Sequence, residues 1–324
     1  MGNSPLVELE TAVNCSRAGG DPTGGACAHQ KAKSSMKVAI LGTGYVASAY
    51  ARALHFLGHH PLILSRHWIN YFDPDPLGLC LRSHGTELLI NAAGFNGASV
   101  DDIRAHQDAA YHSLVSLPAY ASRLARDLDI PFLHVSTGCV FNGDYPWSES
   151  DKPNFTPGLY QHYKLFAEED VLASKARAYI FRIRMPFSWH HHPRNWLTKL
   201  CRHEKILDGL NSVTFLDEFA LRSFWLIKEK KEPGIYHAAY PVPVRTAEVV
   251  RMLTEAKLRS WPIAYWDRQE FQSHHTQRSE AILDCTKFQK AYGSEFGDPI
   301  AAIRWCIENY GGVGPVGRPP ASAM

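Results

Sequence analysis

The sequence predicts an α/β fold, a doubly wound parallel sheet with a smaller mixed lobe on its C-terminal side. Short apolar segments alternate with helical patterns between residues 36 and 185, and this order places helices on both faces of a parallel sheet. A glycine-rich turn joins the first apolar segment to the first helix. From residue 186 to residue 310 the alternation is less regular, which indicates a second lobe that is partly joined to the sheet.

The elements follow from hydrophobic spacing in chain order. Strands are expected at KVAIL (37–41), PLILS (61–65), ELLINAAG (87–94), PFLHVST (131–137), AYIFRIRM (178–185) and GIYHAAY (234–240). Helices are expected at 45–58, 109–129, 159–176, 195–207 and 245–258. Pro118 lies inside the second of these helical patterns, and a proline within a helix predicts a kink.

Composition excludes several classes of function. The 324 residues carry a net charge of +2 without a basic block, which argues against nucleic acid as a partner. No apolar run approaches the roughly 20 residues that span a bilayer, so a membrane partner is not expected. Seven scattered cysteines without a Cys-x-x-Cys pair are typical of reduced thiols in a cytoplasmic protein.

The two ends of the chain differ from the rest. Residues 1–35 are rich in Gly, Ala, Ser and polar side chains and lack periodicity, which predicts a disordered N-terminal extension. Residues 311–324 form a glycine- and proline-rich segment that we expect to be a flexible tail.

The first strand leads into the sequence Gly42-x-Gly44-x-x-Ala47 at the start of a helix. The first glycine permits a tight turn, the second allows a diphosphate to approach the backbone, and the small third residue lets the helix pack closely on the strand. This arrangement predicts a Rossmann-type dinucleotide site. The predicted loop contacts are Gly42, Gly44, Tyr45, Val46 and Ala47.

Two further segments are predicted to line the cofactor. The second strand ends in Ser65 and Arg66, where NAD-binding proteins usually carry an acidic residue. A hydroxyl and a guanidinium suit a 2′-phosphate, so NADPH is favoured and NADH is the alternative. An ordinary surface arginine would also explain Arg66. The third strand adds Asn91, Ala92 and Ala93, and Tyr160 and Lys164 are expected to contact the cofactor as well.

Tyr160 and Lys164 are four residues apart and therefore lie on one face of a helix. An ammonium beside a phenol lowers the pKa of the phenol, which can then exchange a proton with a substrate oxygen. Thr137 ends a predicted parallel strand, at the edge where ligands bind in such sheets. Together these residues predict a carbonyl reductase in which Tyr160 transfers the proton and Thr137 orients the substrate.

With this glycine loop and this set of Thr, Tyr and Lys residues, the chain resembles an extended short-chain dehydrogenase/reductase. It is similar to the dTDP-4-dehydrorhamnose reductases, and more so to the nucleotide-rhamnose synthase/epimerase-reductase group. The matching segments are TGCVF (137–141), ESDKPNF (149–155), RIRMPFS (182–188), PRNWLTK (193–199) and NSVTFLDE (211–218).

The resemblance implies a reaction on a UDP- or dTDP-linked 4-keto-6-deoxyglucose: epimerisation at C3 and C5, then NADPH-dependent reduction of the C4 ketone. It also implies that Cys139 and Lys199 are the acid/base pair of the epimerisation, and that the protein forms a homodimer. Simple reductases of this class usually carry an aspartate and a tyrosine where Gly138 and Cys139 stand here. Cys139 as a small buried hydrophobe, and Lys199 as a solvated helix lysine, remain the alternatives.

Other features leave alternatives open. The first glycine loop is one residue shorter than the family pattern, which leaves the cofactor pose and preference open. Asn96, Arg194 and Asn195 are candidates for contacts with sugar or phosphate. The run HHH (190–192) lacks companions at metal-ligand spacing, so no metal is predicted. A reductase without epimerase activity, or a non-catalytic NADP-binding subunit like the methionine adenosyltransferase β subunit, are the alternative functions.

Overall fold

A computed structural model of the chain describes residues 35–95 and 101–311. The predicted N-terminal extension (1–35) and C-terminal tail (311–324) lie almost wholly outside these ranges, and so does Asn96. Within the described residues, no helix combines the length and the apolar character needed to cross a membrane.

Strands and helices alternate along most of the chain. The strands are β1 (Val38–Leu41), β2 (Leu62–Leu64), β3 (Leu88–Asn91), β4 (Phe132–Thr137), β5 (Gly143–Trp147), β6 (Ala178–Ile183), β7 (Pro186–Phe187), β8 (Lys205–Ile206), β9 (Leu210–Asn211), β10 (Thr214–Phe215), β11 (Gly234–His237), β12 (Val244–Arg245), β13 (Ala264–Tyr265) and β14 (Ala281–Leu283). The α-helices are α1 (Tyr45–Phe56), α2 (Pro74–His84), α3 (Gln107–Tyr111), α4 (Leu117–Asp127), α5 (Leu159–Ala173), α6 (Trp196–Arg202), α7 (Leu216–Lys228), α8 (Thr246–Glu255), α9 (Arg268–His274), α10 (Thr286–Tyr292) and α11 (Pro299–Glu308).

A six-stranded parallel sheet in the order β2-β1-β3-β4-β6-β11 forms the centre of the protein. The chain leaves β1 on one side to form β2 and returns to the other side of β1 to form β3. This reversal opens a crevice at the carboxyl ends of β1 and β3, where such sheets bind ligands. The predicted doubly wound Rossmann-type fold is confirmed.

The two faces of the sheet bury different residues of the same strands. In β1, Val38 and Ile40 belong to the apolar cluster that includes α1 and α7, whereas Ala39 and Leu41 belong to the cluster that includes α2 and α4. Successive side chains of a strand point to opposite faces, so an uninterrupted apolar strand can be covered by helices on both sides.

The kink expected at Pro118 appears as a π-helical turn. Residues His112–Ser116 form this turn between α3 and α4, and Pro118 lies in the first turn of α4. A proline has no N–H to donate and its ring crowds the preceding turn, and a wider turn before it accommodates both effects.

The helix predicted over residues 195–207 is shorter than its pattern. It ends at Arg202 because His203 adopts extended backbone angles, and Lys205–Ile206 pairs with β13 as strand β8. A pairing partner some 60 residues away in sequence gives no local signal, so the apolar spacing alone extends the helix too far.

A third apolar cluster lies in the C-terminal half of the chain. It joins α6, α8 and α11 with the short strands β7 and β10. β11 lies beside β6 in the central sheet, so part of this half of the chain returns to the sheet. The boundary at residue 186 remains a prediction.

Candidate active site

The turn after β1 has the backbone that its glycines predict. Gly42 has a positive φ of 102°, and its N–H donates to the carbonyl oxygen of Leu64, 2.9 Å away. A Cβ at Gly42 would lie 3.0 Å from Cα of Ala93. The first glycine therefore lets β1 turn sharply while it packs against the chain that leaves β3.

The start of α1 can accept an anion. Gly44 is the N-cap residue and no side chain caps the helix, so the amide groups of its first turn point towards the loop without a side-chain acceptor. A Cβ at Gly44 would meet no atom within 4 Å. The residues present therefore fit a dinucleotide diphosphate, which binds at such helix N-termini.

A cavity of about 200 Å³ continues from this loop between β1, β2 and β3. Its lining includes Gly42, Gly44, Ser65, Arg66, Ala92 and Ala93. The hydroxyl of Ser65 accepts a hydrogen bond from the N–H of His67, 3.2 Å away, and the Arg66 side chain is exposed. The predicted cofactor residues of three separate segments therefore line one cavity.

Two predicted cofactor residues use their side chains elsewhere. The ring of Tyr45 is buried and stacks on His192, with 4.9 Å between the ring centroids. The side chain of Asn91 is buried, accepts a hydrogen bond from the N–H of Ala93 and lies 3.3 Å from Nδ1 of His134. Both side chains therefore shape the crevice and do not face a cofactor. Of these two residues, only the backbone N–H of Tyr45 is available to bind an anion.

Thr137 and Cys139 lie at the carboxyl end of β4. The hydroxyl of Thr137 accepts a hydrogen bond from the N–H of Cys139, 3.1 Å away. This short loop places the thiol beside three charged or titratable groups, the phenol of Tyr160, the ammonium of Lys199 and the guanidinium of Arg184. The Cys139 side chain is partly exposed, unlike the fully buried small hydrophobe that was the alternative.

The environment of Tyr160 keeps its proton in place. Burial and the neighbouring Cys139 raise the pKa of this phenol, while a hydrogen bond from Thr137 and the charge of Arg194 act in the opposite direction. The lowered pKa that was predicted from the neighbouring lysine is therefore wrong. The physical reason is that burying the phenolate costs more free energy than Thr137 and Arg194 contribute to its stabilisation.

Lys164 faces strand β4. Its ammonium donates to the backbone oxygen of Val135, 2.7 Å away, and lies 3.5 Å from Nε2 of His134. Burial lowers the pKa of Lys164 to about 8, although Glu168 acts in the opposite direction. Burial and the same ammonium lower the pKa of His134, which keeps the imidazole neutral.

The loop before α6 and α6 itself bring one cation each to the site, Arg194 and Lys199. Arg194 interacts with Asp102 and with the phenol of Tyr160. Burial and the charges of Arg194 and Arg278 lower the pKa of Lys199, and Cys139 raises it. A lysine whose pKa is lowered exchanges protons more readily near neutral pH, so this environment differs from that of a solvated helix lysine.

The side-chain amide of Asn195 is hydrogen-bonded within the protein. Its Oδ1 accepts hydrogen bonds from the N–H groups of Ser188 and Leu197, and its Nδ2 donates to the carbonyl oxygens of Ser188 and His190. All the hydrogen-bonding capacity of this buried amide is thereby used. The sequence predicted that Asn195 contacts a sugar or phosphate. Its side chain has no hydrogen-bonding group left for such a contact.

A loop before β14, which no sequence pattern indicated, also reaches the site. Ser279 accepts hydrogen bonds from Arg184 through both its hydroxyl, at 2.8 Å, and its backbone oxygen, at 2.6 Å. Arg278 lies near enough to Lys199 to affect its pKa. No short motif links these residues, because Arg184 and Ser279 are 95 positions apart. The described part of the chain contains no group of three His, Cys, Asp or Glu side chains suited to a metal ion.

A parallel sheet with a glycine turn at its switch point, and a Thr, Tyr and Lys set at the neighbouring strand end, define the class of extended short-chain dehydrogenase/reductase folds. Within it the chain belongs to the family of the RmlD substrate-binding domain, whose model matches residues 36–310. This confirms the family that the sequence motifs indicated.

Proteins from a plant, a virus and a bacterium are similar to this chain. A bifunctional dTDP-4-dehydrorhamnose 3,5-epimerase/dTDP-4-dehydrorhamnose reductase from Arabidopsis thaliana is 32% identical over 174 residues, which cover 51% of this chain and 57% of that protein. The chain thus matches little more than half the length of this curated relative.

Two solved structures have the same fold. The L780 UDP-rhamnose synthase of Acanthamoeba polyphaga mimivirus has a TM-score of 0.78 at 20% identity, over 85% of this chain and 100% of that one. The dTDP-4-dehydrorhamnose reductase of Bacillus anthracis, in complex with NADP, has a TM-score of 0.73 at 15% identity, over 86% and 99%.

Proposed function

We propose that this protein reduces the C4 ketone of a nucleotide-linked 4-keto-6-deoxyhexose with NADPH and also epimerises C3 and C5 of the same sugar. The observation that carries this proposal is the position of Cys139: its N–H donates to the hydroxyl of Thr137, and its thiol lies near enough to Tyr160 and Lys199 to affect the pKa of both. A reductase needs the tyrosine as its proton donor but has no use for a thiol. The additional thiol and amine are the groups that a double inversion next to a ketone requires.

For the reduction, Tyr160 donates its proton to the C4 oxygen as the ketone becomes an alcohol. NADPH, when bound at the glycine loop, supplies the hydride to C4. The raised pKa of the phenol keeps the proton available before this step. The phenolate that remains is stabilised by the positive charge of Arg194 and by the hydrogen bond from Thr137, because both favour the charged form.

For the epimerisation, the C4 ketone makes the hydrogens on C3 and C5 acidic, since the carbanion is delocalised onto the ketone oxygen. Inversion removes a proton from one face of the carbon and returns a proton to the other. Cys139 and Lys199 are proposed as this pair, and each can carry or accept one proton. The lowered pKa of Lys199 supports an exchange near neutral pH.

The binding partners follow from the same site. NADPH is proposed over NADH because Arg66 lines the cavity beside the loop. A UDP- or dTDP-sugar is proposed as the substrate, with Arg194 as a contact near the sugar or its phosphates. Asn96 stays a sequence-based candidate for a sugar contact. A homodimer remains a prediction from the family, and a cytoplasmic location is supported by the five described cysteines, which are all free thiols.

The test is incubation of the purified protein with NADPH and either UDP- or dTDP-4-keto-6-deoxyglucose. We expect loss of nicotinamide absorbance at 340 nm with at least one sugar and a rhamnose nucleotide by NMR. Absence of oxidation with both sugars would favour the non-catalytic NADP-binding subunit. Oxidation only with a sugar that has already been epimerised would identify a reductase alone.

The epimerase activity has a separate readout in solvent deuterium. In D₂O without NADPH, the wild-type protein should incorporate deuterium at C3 and C5 of the 4-keto sugar. Cys139→Ala should stop this incorporation while leaving the reduction of an epimerised sugar in place. Cys80→Ala is the matched control, because Cys80 is also a partly exposed free thiol but lies on α2.

A further inference from the structure

Arg184 is a buried cation at the floor of the candidate site. It follows β6 directly, and its side chain is 1% exposed. Four of its five N–H groups donate to uncharged oxygens: Nε and Nη2 to Oδ1 of Asn211, Nη2 to the carbonyl of Ser279, and Nη1 to the hydroxyl of Ser279. The remaining N–H, on Nη1, donates to Sγ of Cys139, 3.4 Å away.

This arrangement leaves a charge without a carboxylate. Arg182, two residues earlier, binds Glu168 through several hydrogen bonds, the shortest 2.6 Å long. No carboxylate of the described residues lies within 4.0 Å of the guanidinium of Arg184, whose hydrogen-bond acceptors are Asn211, Ser279 and Cys139. A buried charge is costly unless it is paired, and Cys139 is the one acceptor of the three that can become an anion.

The acceptor at Asn211 supports the same conclusion. Its Oδ1 accepts from Arg184 and from the N–H of Ala281, so an aspartate of the same shape could make both contacts and neutralise the guanidinium. Because the amide of Asn211 is neutral, it cannot neutralise the guanidinium, and the sulfur of Cys139 is the acceptor that can. Burial lowers the pKa of Arg184, and the neighbouring Cys139 acts in the opposite direction.

We propose that Arg184 is the positioning residue of Cys139: its guanidinium fixes the direction of Sγ and supplies the positive charge that pairs with the sulfur when Cys139 gives up its proton. This deepens the epimerase part of the proposed function and rests on it for its biological role.

Other groups also face the thiol. Tyr160 from α5 and Lys199 from α6 interact with Cys139, and Arg194 and Arg278 lie around Lys199. Tyr160 keeps its proton and is uncharged at neutral pH. Lys199 is a second cation, but it has to change its own charge during proton exchange, whereas Arg184 keeps a constant charge. Arg184 therefore gives the sulfur a partner of constant positive charge, whereas the charge of Lys199 changes during turnover.

The test measures thiol reactivity and needs no substrate. The full-length protein is alkylated with iodoacetamide between pH 6 and pH 10, and the rate at each cysteine is followed by mass spectrometry of its peptide. Because the thiolate is the reactive form, the midpoint of the Cys139 profile reports the thiolate fraction. In Arg184→Gln we expect this midpoint to move to higher pH and the rate at pH 7 to fall at least about tenfold, since a nearby cation lowers a thiol pKa by about one unit or more. Arg184→Lys keeps the charge and should recover part of the rate.

A second variant keeps Arg184 in place. Asn211→Asp supplies a carboxylate to the guanidinium, so the Cys139 profile should move in the same direction as in Arg184→Gln. The rate at Cys80 should stay at the wild-type value in both variants, and the circular dichroism spectrum reports whether each is folded. An unchanged Cys139 profile in a folded variant overturns the inference.

The two proposals fail separately. Shifted Cys139 profiles together with undiminished deuterium incorporation in Cys139→Ala would overturn the epimerase role of the thiol and support the Arg184 contact. Unshifted profiles together with lost incorporation in Cys139→Ala would overturn the role of Arg184 and support the catalytic thiol.

Discussion

The ammonium of Lys164 lies 2.7 Å from the backbone oxygen of Val135, on the strand that carries Thr137, although Tyr160 is one helical turn away on the same helix. The charge of Lys164 is thus held against β4, and the cation that acts on the phenol is Arg194. This separation assigns the two members of the Tyr-x-x-x-Lys pair different electrostatic environments, and it has consequences for stability as well as for activity.

Lys164→Met should stabilise the protein at neutral pH. The folded-state pKa of Lys164 is about 8, below the ordinary value of 10.5, so the unfolded chain binds more protons in this window and stability rises as the pH rises from 8 to 10.5. The cost of burying the charge is fully present below pH 8. The shift from 10.5 to about 8 corresponds to about 3.5 kcal/mol at about 1.4 kcal/mol per pKa unit. The lost hydrogen bond offsets about 1 kcal/mol of this, so we expect a gain of about 2–3 kcal/mol at pH 7.

The measurement is urea unfolding of both proteins at pH 7 and at pH 10.5. The difference between Lys164→Met and the wild type should shrink towards zero or change sign at the higher pH, because the lysine of the folded protein is then neutral and its burial no longer displaces a charge from water. Lys290→Met is the control, since Lys290 is exposed on α10 and should show no such dependence. A difference that stays constant between the two pH values would contradict the prediction.

The sequence could predict the elements whose signals are local. The strands at Val38, Leu88 and Phe132, the turn at Gly42 and the spacing of Tyr160 and Lys164 all depend on neighbouring residues, and the structure contains each of them. These signals repeat with the period of a strand or a helix, which a single sequence displays directly.

The remaining parts of the site depend on distant contacts. The Arg184 hydrogen bonds reach residues 27, 45 and 95 positions away, and the direction of the Lys164 side chain is set by the strand beneath its helix. A long flexible side chain can face either neighbour until the packing is known. The incorrect pKa shift predicted for Tyr160 has this origin, because burial has no local sequence signal.

Tyr160→Phe should remove the reductase activity and leave the fold intact. A positioned general acid contributes about 10²–10⁴ to a rate, so we expect kcat for NADPH oxidation to fall by at least about 100-fold while the affinity for NADPH is unchanged. The control is Tyr163→Phe on the same helix, whose ring packs edge-on against Tyr111 at 5.4 Å. Wild-type kcat in Tyr160→Phe would exclude the phenol as the proton donor.

Arg66→Ala should weaken NADPH and spare NADH. The guanidinium borders the cavity next to Ser65, and a hydrogen bond to a charged group contributes about 1.5–3 kcal/mol, which corresponds to about 10- to 100-fold in Kd. Titration of the protein with each cofactor by fluorescence measures this directly. Arg123→Ala, an exposed arginine on α4, should change neither Kd. Equal weakening of both cofactors in Arg66→Ala would show that Arg66 does not recognise the 2′-phosphate.

The two glycines of the first loop should respond differently to alanine. At Gly42, φ is +102° and a Cβ would lie 3.0 Å from the backbone of Ala93, so Gly42→Ala should destabilise the fold by about 1–3 kcal/mol, the cost of backbone strain at such a position. At Gly44, φ is −81° and a Cβ would meet no protein atom within 4 Å.

Gly44→Ala should therefore keep the wild-type unfolding temperature. The added methyl group would instead occupy the space that we assign to the diphosphate, and NADPH binding should weaken by at least about tenfold, since one displaced contact of 1.4 kcal/mol has that effect. Thermal unfolding without cofactor and NADPH titration separate the two effects. A Gly44→Ala protein that binds NADPH as tightly as the wild type would mean that the diphosphate does not approach this end of α1.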